Sequence, residues 1–177
     1  MDNAIQRFKI LMSYDGTDYL GWQRLGHDKK TIQETLEKVL SDFFDRPITV
    51  VGSGRTDAGV HAFGQVAHFD APLDERRKER LRHALQCLIP KSIVVHDVWL
   101  APRFFHAQRS AVKKTYKYRV VNAERPNVFL SRYSHWVREP LDLDFLNKTA
   151  TFLVKKQDFC QFQDGRNSCN HHCSRNI

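Results

Sequence analysis

The first apolar pattern in the chain has a period of two. In Arg7-Phe8-Lys9-Ile10-Leu11-Met12-Ser13-Tyr14, the residues Phe8, Ile10, Met12 and Tyr14 share one face, which predicts a strand buried on one side. Asp15-Gly16-Thr17-Asp18 supplies turn chemistry that ends it. The period then changes to that of a helix. Ile32, Leu36, Val39, Leu40 and Phe43 recur at helical spacing behind a capping box, Thr31-x-x-Glu34, and Pro47 closes the segment. Ile48–Val51 reads as a short strand entering a glycine-rich stretch, and Gly64–Phe69 as the strand leaving it. Leu81, Ala84, Leu85 and Leu88 mark a second helix, about Asp74 to Cys87, in which Cys87 is expected in the core. Ile93–Leu100 and Lys113–Val121 are rich in β-branched and aromatic residues and predict two more strands. After Glu139-Pro140-Leu141-Asp142, a linker, a third helix is expected over residues 142–154.

Strand, helix, strand, strand, helix, strand, strand predicts an α+β fold: a sheet with helices on one face, related to the split β-α-β layout. The 177 residues suffice for one domain with a real core, or one domain and part of a second. No apolar run reaches membrane-spanning length and the N-terminus has no apolar signal region, so the expected location is the cytoplasm, with no membrane partner. Lys and Arg number 28 against 20 Asp and Glu, a formal net charge of +8, and a surplus of that sign favours a polyanionic partner. The four cysteines, without a secretion signal, are not expected to form disulfides.

The candidate chemistry sits in Gly52-Ser53-Gly54-Arg55-Thr56-Asp57-Ala58-Gly59-Val60-His61. Gly52, Gly54 and Gly59 permit positive φ or close backbone approach around a polar cluster. A carboxylate beside a guanidinium stays ionised, and an ionised Asp57 can attack an electrophilic carbon or accept a proton. The residues alone leave a second reading open, a tight turn in which Asp57 caps its own backbone and Arg55 is solvated.

This run resembles the signature of the TruA family of tRNA pseudouridine synthases, whose Arg-Thr-Asp-Ala-Gly-Val-His segment holds their essential aspartate. Other blocks resemble the family in order: Tyr14-Asp15-Gly16 with Gly21-Trp22-Gln23, Thr31–Glu34, Gly64-Gln65-Val66, Leu88-Ile89-Pro90, Phe105-His106-Ala107 and Lys114-Thr115-Tyr116-Lys117-Tyr118. The resemblance covers residues 7 to about 163. It implies a pseudouridine synthase fold: an antiparallel mixed sheet with helices on one face, a ferredoxin-like or RRM-like first half over residues 1–105, and an incomplete second half beginning at 106–163.

The implied reaction breaks the bond between ribose C1′ and uracil N1 and rejoins the base through C5. It needs no metal or organic cofactor, since the uracil is both leaving group and nucleophile. Asp57 is the implied catalytic residue, by attack or by deprotonation, and the target uridine leaves its stack to reach a buried carboxylate. Arg55 is implied to guide the flipped nucleotide and Tyr116 to stack on the uracil, while Tyr118 is expected in the core. His61 and His106 are read as structural or substrate-adjacent. For tRNA phosphates the candidates are Arg76, Arg77 and Arg80 on the second helix, along with Lys29 and Lys30, for all of which a solvated face is the alternative. Family resemblance gives positions 38–40 of the tRNA anticodon stem-loop as the sites and a homodimer as the assembly. Gln108-Arg109 departs from the Arg-Phe of many relatives, displacing the basic group by one residue.

Residues 164–177 do not resemble the family and carry neither apolar period nor strand pattern. Cys169, His171, His172 and Cys173 are too tightly spaced for a standard zinc finger, and no metal is expected. Read one base later, the possible codons of Arg166–Ile177 permit Gly-Thr-x-Ala-Thr-Thr-Thr-Val-Arg-Glu-Ile, similar to what the family carries there. A frameshift near residue 164 is therefore the expectation. With it would go the family's Met-Val-Arg segment, whose arginine pairs with the catalytic aspartate.

Overall fold

The computed structural model describes residues 4–26, 29–72, 75–154, 157–158 and 174–175; for 75–78, 157–158 and 174–175 it describes the backbone only. The chain divides into two compact units, Met1–Thr115 and Tyr116–Ile177.

The first unit contains β1 (Gln6–Tyr14), α1 (Ile32–Phe44), β2 (Val51–Gly52), β3 (Ala62–Ala71), α2 (Glu75–Leu88) and β4 (Ile93–Ala101). The sheet order is β2-β3-β1-β4, and every pairing is antiparallel. This is the split β-α-β arrangement expected from the order of elements. The period-two reading of β1 holds. Phe8, Ile10, Met12 and Tyr14 are buried and pack with Ile32, Leu36 and Leu40 of α1 and Leu81 and Leu85 of α2. Across the central ladder Phe8 faces Phe69 and Ile10 faces Ala67, so β1 and β3 present one continuous apolar face to the helices.

Thr31 is the N-cap of α1, its hydroxyl accepting the Glu34 N–H at 3.3 Å. The helix stops at Asp45, in the left-handed region at φ 50°, two residues ahead of the proline that was expected to close it.

Three expectations change. The Ile48–Val51 strand is paired only at Val51 and Gly52. Side chains of α1 occupy the backbone ahead of it: Val50 N–H donates to Glu37 Oε1 at 2.9 Å, and Gln33 Nε2 donates to the Val50 carbonyl at 3.0 Å. Cys87 is exposed rather than in the core, on the outer face of α2 beside His83. The strand expected over Lys113–Val121 is reduced to β5 (Val120–Asn122), while residues 111–119 have no strand pairing and are all exposed, Tyr118 among them. β-branched and aromatic residues favour a strand only when neighbours cover them, and among the described residues no strand pairs with this segment ahead of β5.

In the second unit β5 pairs in parallel with β6 (His135–Val137). Asp142 caps α3 (Leu143–Ala150), its carboxylate accepting the Phe145 N–H at 2.9 Å, and a 3-10 turn over Thr151–Leu153 completes the helix expected at 142–154. No residue of α3 is buried. The tail read as lacking strand pattern contributes β8 (Ser174–Arg175), antiparallel to β7 (Gln157–Asp158). Cys160, Cys169, His171, His172 and Cys173 lie outside the described residues.

Candidate active site

The signature loop connects β2 to β3, and its form comes from groups beneath and beside it. Beneath it lies Gln65, a buried residue of β3. Its Nε2 donates to the Gly54 carbonyl at 2.7 Å, and its Oε1 accepts from Ser53 Oγ at 2.7 Å. Tyr14, at the end of β1, is buried nearby, with its hydroxyl 2.9 Å from Thr56 Oγ1 and 3.4 Å from Gln65 Nε2. Burial raises the Tyr14 phenol above its ordinary pKa, against the opposing effect of the hydrogen bonds with Thr56 and Gln65, so it stays protonated. One amide and one phenol therefore fix Ser53, Gly54 and Thr56, the residues leading to Asp57.

Beside the loop lies the block after β1. Trp22 N–H donates to the Thr56 carbonyl at 2.9 Å, and Gly59 N–H donates to the Tyr19 carbonyl at 3.2 Å. On its other side the same block receives the first free N–H groups of α1, with Ile32 bonded to the Gly21 carbonyl and Gln33 to that of Trp22. Gly21 has φ +93°, and a Cβ there would lie 2.6 Å from the Thr56 carbonyl oxygen. A Cβ on Gly52 would lie 2.6 Å from the Trp22 ring. These glycines are places where the N-terminal block and the signature loop press backbone to backbone or backbone to ring.

His61 closes the end of the loop. Its Nδ1 lies 3.2 Å from Gly16 N and 3.0 Å from Asp15 Oδ1. With the proton on Nε2 it accepts from Gly16; with Nδ1 protonated it donates to Asp15. Either state ties the loop to the turn after β1, consistent with a structural reading of this histidine. His106 stands at the opposite end of the sheet, its ring 4.9 Å from that of His68.

Against this fixed frame, Asp57 is exposed. The expectation of a buried carboxylate is corrected: the residue stands exposed in the turn closed by Val60. Among the described residues the Asp57 carboxylate has no hydrogen bond or ion pair, and Arg55, also exposed, is not bonded to it. The turn is closed instead by Val60 N–H donating to the Asp57 carbonyl at 3.2 Å, so the side chain is not a backbone cap.

Tyr116 belongs to the second unit and is exposed. Lys29, Lys30 and Arg80 are exposed, Lys30 with its ammonium 4.6 Å from the Tyr19 ring centroid. Arg76 and Arg77 fall on α2, with side chains outside the described residues. Among the described residues no cluster of three His, Cys, Asp or Glu side chains is placed to hold a metal ion, and no helix is long and apolar enough to cross a membrane. The supporting role of Gln65 was not legible from the sequence. A polar residue within a largely apolar strand pattern was the available signal, since burying its amide requires partners.

The sequence profile of a family described as tRNA pseudouridine synthase matches residues 10–108, more than half of the chain. The chain belongs to the tRNA pseudouridine synthase family. That span runs from β1 through the signature loop to the Phe105-His106-Ala107 segment. The chain is 42% identical over 160 residues to a protein named tRNA pseudouridine synthase A from Bdellovibrio bacteriovorus, covering 89% of this chain and 61% of the relative. A protein of the same name from Bacillus sp. strain KSM-64 is 38% identical over 162 residues, covering 92% of this chain and 66% of the relative. A third, from Limosilactobacillus reuteri, is 42% identical over 159 residues, covering 88% and 61%. The chain thus spans about three-fifths to two-thirds of the length of these relatives.

Proposed function

We propose that this chain acts on tRNA as a uridine-to-pseudouridine isomerase, with Asp57 starting the reaction. The observation that carries the reading is the state of the Asp57 carboxylate: exposed, unbonded among the described residues, and displayed at the apex of a loop whose backbone is held from two sides. A carboxylate serving the fold would be spent on a cap or an ion pair. Family membership and the names of the relatives support the reaction and the class of substrate.

In this reading Asp57 attacks the nucleoside or removes a proton from it, the C1′–N1 bond breaks, and the freed uracil rotates. A C1′–C5 bond then forms, any bond made to Asp57 is broken again, the C5 hydrogen leaves as a proton and N1 takes one up. The product is an isomer of the substrate, so no oxidant, reductant or cofactor enters the balance. The reacting bond of a stacked nucleotide is out of reach of a protein side chain, so the uridine must be swung out of its stack to meet Asp57, and Arg55, two residues away, is the side chain proposed to guide it. Tyr116 is the proposed stacking partner of the uracil. The finer reading, supported by the resemblance alone, places the target at positions 38–40 of the anticodon stem-loop, in a cytoplasmic homodimer.

The test is release of tritium from tRNA carrying 5-tritiated uridine. The unmodified chain is expected to release it, and Asp57→Ala to release none above background. Equal release by the two proteins would remove Asp57 from the mechanism. The second unit favours another reading, RNA binding without turnover, because α3 has no buried residue and Tyr116 is uncovered. Tight tRNA binding with no tritium release by the unmodified chain would select it.

A further inference from the structure

Lys114 lies over the signature loop. A Cβ built on Gly54 would stand 3.5 Å from Lys114 Nζ, 3.8 Å from Cε and 4.0 Å from Cδ, so the end of the lysine runs along the glycine. Both residues belong to the first unit. The contact has no structural partner behind it. The Gly54 carbonyl is already taken by Gln65. Among the described residues Lys114 makes no hydrogen bond and no ion pair, with Asp57 or with any other acid. It is exposed, as is Arg55 on the other side of Gly54 in the chain. The ammonium thus lies against the loop with no acid paired to it among the described residues. Its neighbour in the first unit, Lys113, is an exposed cation too.

A long flexible side chain gains little by lying on a glycine unless its charged end has an external counter-ion. A nucleotide swung out toward Asp57 brings its flanking phosphates to the rim of the loop, and a lysine ammonium binds phosphate as a compact point charge. We propose that Lys114 is a phosphate-binding positioning residue of the site, gripping the RNA backbone next to the uridine presented to Asp57. This deepens the reading of the chain as a tRNA-modifying enzyme and rests on it. Gly54 has a part in the grip: without a side chain of its own, it lets the ammonium approach the loop.

The test uses the 177-residue chain and unmodified tRNA, with Kd measured across a series of KCl concentrations. Lys114→Gln is expected to weaken binding several-fold and to flatten the plot of log K against log salt by about one unit, the loss of one phosphate contact. Lys114→Arg should restore both the affinity and the slope. Lys38→Gln, on the exposed face of α1, serves as the control for general surface charge and should leave the slope unchanged. An unaltered slope in Lys114→Gln overturns the proposal, as does an arginine variant as defective as the glutamine one. A chain that binds tRNA with the lysine-dependent slope and releases no tritium sustains this inference while the catalytic reading fails. A chain that does not bind tRNA overturns both.

Discussion

Two segments carry the recognisable motifs of this protein, and they are built in opposite ways. The loop from Ser53 to His61 has no regular structure, yet its backbone is fastened at several points: Ser53 N–H to Val66, Gly54 and Thr56 carbonyls to Gln65 and Trp22, Gly59 N–H to Tyr19. A strand is expected over Lys113–Val121, yet residues 113–119 of it have no strand pairing and are exposed along their whole length. The pair teaches that a motif's rigidity is set by what surrounds it. Buried side chains can hold a loop as firmly as a ladder holds a strand, while strand-forming residues without a neighbour hold nothing.

The largest test of that contrast is at a close backbone contact of the loop made by a glycine with positive φ. Gly21→Val forces a side chain into positive φ and into the Thr56 carbonyl, and should cost about 3 kcal/mol or more in denaturant unfolding. A variant within 1 kcal/mol of the unmodified chain would show the loop to be softer than its hydrogen bonds imply. Next comes Gln65→Leu, which leaves the Gly54 carbonyl without its buried donor and should cost about 1–3 kcal/mol. It should also lower the turnover of tRNA at saturation more than it alters tRNA binding, because the loop carrying Asp57 loses its support. An unchanged turnover number would remove Gln65 as a positioning residue.

A smaller, pH-dependent effect separates a fastened loop from a free one. His68 is buried, and its Nδ1 accepts the Ala107 N–H at 3.1 Å, which requires that nitrogen to be unprotonated. Desolvation, helped by the nearby Arg7 and His106 charges, lowers the His68 pKa. The unfolded chain takes up a proton near the ordinary histidine value of about 6.5. The folded chain resists it, so stability present above that pH is lost as the pH falls toward the lowered folded pKa. Thermal unfolding at pH 8 and pH 5 should show the loss, and His68→Asn, which keeps an acceptor but does not titrate, should flatten it. Asp70, held below the usual carboxylate range chiefly by its hydrogen bond with Arg7, gives a second loss at lower pH, as that carboxylate is protonated. The smallest expected effect belongs to the other half of the comparison: Tyr118→Ser should change stability by no more than about 0.5 kcal/mol. A greater cost would mean that residues 111–119 are covered after all.

The sheet of the first unit was legible because its signal is local. Alternation in β1, the Thr31 cap and the apolar stripes of α1 and α2 need only nearby residues to be read. Asp57 was legible through its motif, but its exposure was not. Whether a carboxylate in a glycine-rich turn is buried, capping or free depends on Val60, Tyr14 and Trp22, which approach it only in the folded chain. Tyr118 failed for the reverse reason. Its pattern was that of a strand, and pattern cannot reveal that the covering neighbour is missing. Lys114 was legible as the first residue of the Lys-Thr-Tyr-Lys-Tyr block, but its place over Gly54 was not, since that contact joins residues sixty positions apart.

The side chains of α1 that take up the Val50 backbone have a consequence for the edge of the sheet. An outermost strand normally offers a row of free donors and acceptors on which a foreign strand can grow. Here Gln33 and Glu37 have occupied the approach to β2, and Arg24 pins Glu37 at 2.8 Å. An incoming strand would have only two paired residues, Val51 and Gly52, to align with before reaching backbone already engaged by a helix. The buried Gln33 and Glu37 of α1 thus guard the β2 edge against edge-to-edge pairing, and Glu37→Ala should reveal it as faster assembly from the partly unfolded chain.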